Sequence, residues 1–174
     1  VSILQTGMIA SLRLVYSSHG GLRSIFRSGY FWFSGAMTTL CWPSIKSETW
    51  ANAALSSLPT LAGFSIAAYA ILFAVLDERS RRALSAPEPD LDNRSPLLII
   101  VGVVTHAVVT QVLTLLYAFT FEQKPLPPSI AIIAPETANH FFSALGLFLF
   151  VYSVILILAS ILTLFRVLEI RTRV

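Results

Sequence analysis

Of 174 residues, 55% are hydrophobic and 12% charged, with a net charge of +3, whereas a soluble domain carries roughly 25% charged residues. So short a chain cannot hide that apolar excess in a globular core, so its surface faces lipid. The basic residues flank hydrophobic runs instead of forming the patch that nucleic-acid binding needs, and no nucleic-acid partner is expected. A single thiol, Cys41, excludes an internal disulfide, a paired-cysteine metal site and a thiol redox motif. It is read as a helix-packing residue.

The expected fold class is all-α: a polytopic membrane protein with four transmembrane helices, an N-terminal interfacial helix and both termini in the cytoplasm. In residues 1–19, Leu4, Met8, Leu12 and Val15 recur at helical spacing beside Ile9 and Tyr16, until Gly20-Gly21 breaks the pattern. This suits a helix lying in the inner interface or packed on its neighbours. The run reaches Arg13 before any continuous apolar core, so no cleavable signal peptide is expected. A spanning helix needs about 20 mostly apolar residues, and four stretches approach or exceed that.

The first expected span, residues 28–45, is the shortest, with Ser34, Thr38 and Thr39 interrupting it and Arg27 placed to snorkel. An outer loop over 46–57 carries a short helix around Trp50, Ala51, Ala53, Ala54 and Leu55. The second span, 58–76, is uncharged, with Pro59 in its first turn, where a missing N–H costs nothing. Its helix is expected to extend to about residue 85, supported by Asp77–Arg81 and Glu78–Arg82 pairs at i, i+4, within a cytoplasmic loop over 77–95. Ser95-Pro96 supplies an N-cap and a first-turn proline for the third span, 96–121. A proline-rich outer loop follows over 122–134. Pro135-Glu136 opens the fourth, placing a carboxylate at the positive end of the helix dipole. That span and its cytoplasmic extension cover 135–170.

Basic residues favour the cytoplasmic side of short loops. Arg13, Arg23, Arg27, Arg79, Arg81, Arg82, Arg94, Arg166, Arg171 and Arg173 fall on one side of the expected topology, against Lys46 and Lys124 on the other. This puts both termini in the cytoplasm. Tyr30 and Trp32 near the inner boundary, and Trp42 and Trp50 near the outer, match the headgroup preference of amphipathic rings.

Ionisable groups inside a bilayer are functional suspects, and here there is one, His106. With Thr110, Gln111, Thr114 and Tyr117 it forms a candidate polar membrane face on the third helix. Two readings compete. The face lines a proton or ion path, or it joins helices through hydrogen bonds of about 1 kcal/mol each. A relay normally needs a carboxylate partner and none lies at this depth, which favours helix joining. Small residues at Gly63, Ala67, Ala70 and Ala74 on the second helix, and at Gly146, Ser153 and Ser160 on the fourth, permit close helix packing within a subunit or between subunits. Arg79, Arg81 and Arg82 are candidate contacts for anionic lipid or a protein partner. No catalytic grouping, metal site or cofactor motif is present, so no enzyme activity is expected.

The segment Leu61-Ala-Gly-Phe-Ser-Ile-Ala-Ala-Tyr-Ala-Ile-Leu72, with Asp77-Glu78 after it and Ser95-Pro96 to His106 later, resembles a group of bacterial four-helix membrane proteins of largely unassigned function. Size and topology are also similar to the membrane subunit of two-component anti-phage defence systems such as Kiwa, in which a small tetraspanning protein recruits a cytosolic effector. The concentration of charge on the cytoplasmic side points to a non-enzymatic membrane scaffold or sensor that presents cytoplasmic loops to a soluble partner, the small-residue faces to a homo-oligomer, and the resemblance implies a setting in anti-phage defence. The alternative is a small ion or proton channel or transporter using the polar face of the third span.

Overall fold

A computed structural model describes Gly7 and residues 22–87, 95–123 and 135–172. The expected interfacial helix over 1–19, the acidic part of the loop after residue 87 and most of the outer proline-rich loop lie outside the described residues. Among those described there are helices and no strands: α1 (Leu22–Arg27), α2 (Gly29–Leu40), α3 (Trp42–Ser47), α4 (Thr49–Val75), α5 (Glu78–Ser85), α6 (Pro96–Glu122) and α7 (Pro135–Thr172). Three of these helices contain stretches long and apolar enough to cross a membrane, Thr49–Ile71, Pro96–Glu122 and Thr137–Phe165.

α6 packs on both α4 and α7, which also touch each other, while α2 and α3 run along α7. Side-chain contacts give the directions. Trp50 stacks on Tyr117 and leans on Phe121, while Ser65, further along α4, meets Gln111, so α4 and α6 are antiparallel. Tyr117 meets Phe142, and His106 meets Tyr152, so α6 and α7 are antiparallel too.

The first expected span, 28–45, is divided between two helices. Gly29–Leu40 has 12 residues, about 18 Å of rise against the ~30 Å of a hydrocarbon core. The chain turns at Cys41, whose N–H still reaches the carbonyl of Met37, and restarts as α3 with Pro43 in the first turn. Proline cannot donate back into α2, so the break falls just before it. Contacts of this segment with α7 run from Ile45 at Ser143 to Phe31 at Tyr152, about 14 Å of α7. Ile25 continues the track onto the buried group of Ala107, Tyr152 and Leu156.

α4 also differs from expectation. It begins at Thr49 instead of Leu58, absorbing the expected loop helix, and Pro59 stands inside it. The reason is burial: Trp50, Ala51, Ala54 and Leu58 share one face and all sit in the core, which carries the helix through a residue that would otherwise end it. Glu48, at a left-handed φ of 56°, makes the reversal from α3 into α4. At the other end the helix stops at Val75 instead of running to about 85. Leu76 turns inward, and α5 starts afresh on the Asp77 carbonyl, which accepts from the Arg81 N–H at 2.9 Å. Ser95 caps α6 as its sequence indicates, accepting from the Leu98 N–H at 3.1 Å.

Candidate functional site: a polar seam inside the bundle

Four of the five polar residues of α6 bond to two neighbouring helices, and the fifth, Thr110, bonds within α6. His106 and Thr114 face α7. The His106 Nε2 is hydrogen-bonded to the Tyr152 hydroxyl at 3.1 Å, and Phe31 and Phe148 pack around that tyrosine. The Thr114 hydroxyl lies 2.9 Å from the Ser153 hydroxyl. Ser153 donates to the Leu149 carbonyl and Thr114 to the Thr110 carbonyl, each at 2.8 Å, so each hydroxyl also has an acceptor in its own helix and either can donate across the seam. Thr110 returns its proton to the His106 carbonyl at 2.8 Å, closing a bond within its own helix. Tyr117 donates to the Phe142 carbonyl at 3.0 Å.

Gln111 turns the other way, to α4. It is 1% exposed, its Nε2 donates to the Ser65 hydroxyl at a long 3.4 Å, and its Oε1 has no hydrogen-bond partner among the described residues. Ser65 itself donates to the Leu61 carbonyl at 3.0 Å. His106, Thr110, Gln111 and Thr114 are all buried within one chain. The seam they make is an internal joint: in an apolar medium helices gain nothing from hiding carbon surface, and side-chain hydrogen bonds and close packing hold them together.

The small-residue positions divide too. Gly146, Ser153 and Ser160 on α7 are buried, and a Cβ at Gly146 would collide with the Trp50 ring. Gly63, Ala67, Ala70 and Ala74 on α4 are exposed. Arg79, Arg81 and Arg82 are exposed on α5. Arg82 pairs with Glu78 at 2.9 Å, both side chains largely in solvent, where such a pair contributes little. The Arg81 guanidinium approaches the Leu76 carbonyl at 3.5 Å. Among the described residues no three His, Cys, Asp or Glu side chains come together to hold a metal ion, and Cys41 is half-buried with a free thiol.

A second polar joint was not foreseen in the sequence. Trp50, expected in a short helix of the outer loop, is 2% exposed. Its Nε1 donates to the Ser143 hydroxyl at 2.9 Å, and Ser143 donates onward to the Ile45 carbonyl at 2.8 Å, tying α4, α7 and α3 together. Asn139 reaches the Glu48 carboxylate beside it. The signal was present in the spacing of Trp50, Ala51, Ala54 and Leu58, and in Ser143 standing one turn before Gly146.

The chain is therefore an all-helical bundle whose three hydrophobic helices fit a multi-pass membrane protein. It matches no protein-family model, no curated protein and no solved structure.

Proposed function

We propose that the chain is a non-enzymatic, oligomeric scaffold or sensor subunit of a bacterial inner membrane, in the manner of the membrane component of a two-component anti-phage defence system. It crosses four times, with residues 28–45 as the first crossing and both termini cytoplasmic, and presents the α5 loop to a soluble partner. The observation that carries this reading is the burial of the α6 polar face. A channel or transporter using that face needs His106, Thr110, Gln111 and Thr114 on a wet path. Instead all four are buried, and the hydrogen bonds of His106, Gln111 and Thr114 join α6 to α7 and α4.

Charge is displayed elsewhere, on the exposed arginines of α5 immediately after α4 leaves its apolar run. The exposed face of Gly63, Ala67, Ala70 and Ala74 supports self-association, because small residues let a second helix come close. Affinity purification of the tagged chain from gently solubilised native membranes tests the proposal. A stoichiometric cytosolic protein, lost when Arg79, Arg81 and Arg82 become Gln, is the expected result. Repeated recovery of the chain without a companion would overturn it.

A further inference from the structure

The two halves of α4 are held differently. Before Pro59, Trp50, Ala51, Ala54 and Leu58 are at most 2% exposed, and the Trp50–Ser143–Ile45 bonds and the Asn139–Glu48 contact lock that end. From Pro59 to the end of α4, the buried positions among the described side chains are Ser65, within the helix, and Leu76, at its exit. Leu61, Tyr69 and Phe73 are half-buried, and Gly63, Phe64, Ile66, Ala67, Ala68, Ala70, Ile71 and Ala74 face outward.

The polar link from this half to α6 is the 3.4 Å bond from Gln111 to Ser65. Ser65 keeps its own bond to Leu61 when that link breaks, and the buried Gln111 Oε1 has no partner among the described residues. Breaking it therefore costs less than breaking a fully satisfied pair.

The junction between the halves is weak by construction. Pro59 has no N–H for the carbonyl four residues back, and its ring crowds that carbonyl. One turn earlier, the hydroxyls of Ser56 and Ser57 both bond the Ala53 carbonyl, at 3.0 and 2.6 Å. Such back-bonding competes with the helix ladder and bends helices. Paired serines and proline are among the established causes of kinks.

We infer that α4 is a lever. Its first half is clamped to the bundle, its second half pivots about the Ser56–Pro59 turn, and α5 moves with it. The motion opens the Ser65–Gln111 contact and slides α5 over the start of α6, against which it packs, displacing its arginines. This deepens the sensor reading and rests on it for what the motion signals: a change in the lipid or the neighbouring subunit at the exposed face of α4 reaches the cytoplasmic side.

Pro59 and Ala74 are about 22 Å apart along the helix, so a swing of about 20°, the scale of proline kinks, carries Ala74 through about 8 Å. Pulsed electron-electron resonance on the full chain in lipid nanodiscs, in a Cys41→Ser background, reads this. One spin-label pair replaces Ala74 and Leu158, and a reference pair replaces Asn52 and Leu145, all four being exposed positions. A narrow reference distribution with a broad or two-peaked one for Ala74–Leu158, spread over about 8 Å, is expected. Pro59→Ala narrows it, and so does Ser56→Ala with Ser57→Ala. An unchanged reference pair shows that each variant has folded. Equal widths for the two pairs, or a width indifferent to both variants, overturn the lever and leave the partner-capture result standing independently.

Discussion

Replacing Gly146 by Ala separates two effects that act in opposite directions. Within a helix, Gly→Ala favours the folded state by about 1 kcal/mol. At Gly146 the new methyl collides with ring carbons of Trp50. That ring cannot yield easily: it stacks on Tyr117 with centroids 6.0 Å apart, leans on Phe121 at 5.1 Å and is tethered through Nε1 to Ser143. Overpacking of this kind costs about 1–3 kcal/mol. The steric term is the larger, so Gly146→Ala destabilises by up to about 2 kcal/mol. Gly63→Ala meets nothing within 4 Å and stabilises by up to about 1 kcal/mol. In a Trp50→Ala background, itself costing about 3–5 kcal/mol, the obstruction is gone and Gly146→Ala should change sign. Reversible unfolding by SDS titration in mixed micelles, followed by circular dichroism, measures all four variants. Equal effects at Gly146 and Gly63, or additivity with Trp50→Ala, would refute the packing argument.

Further outcomes follow from the seam. Tyr152→Phe removes the partner of His106 Nε2 and should cost about 1 kcal/mol in the same titration. Gln111→Leu replaces an amide with an unsatisfied oxygen by a side chain of similar size, and should be neutral or stabilising by up to about 1 kcal/mol; a loss above about 2 kcal/mol would mean that the Ser65 bond matters more than its length indicates. For topology, single cysteines at Lys46 and Gln123 in a Cys41→Ser background should both react with an impermeant maleimide on intact spheroplasts, and a cysteine at Ala83 only after lysis. Opposite sidedness of Lys46 and Gln123 would remove the four-crossing arrangement.

The long apolar helices were legible in the sequence because length and hydropathy suffice, and the Ser95-Pro96 start of α6 was legible because capping is local chemistry. Three features were not. Pro59 reads as a helix start from its neighbours alone, and it took the burial of Trp50, a tertiary effect, to carry α4 through it. The break at Cys41 depends on Pro43 and on where α7 offers contacts. The α6 polar residues were identifiable as a set, but not their partners. Tyr152 lies 46 residues from His106 in sequence, and Ser65 the same distance from Gln111. No local pattern encodes such pairings.

The central claim is that the polar face of α6 is a dry joint between helices. Single cysteines at Thr110, Gln111 and Thr114, in a Cys41→Ser chain reconstituted in lipid, can be challenged with a charged methanethiosulfonate reagent from both sides. A cysteine at Gln123 serves as the reactive control. Reaction at Gln123 and none at the three buried positions is expected. Rapid modification of any of the three would place that face on a water-filled path and contradict it.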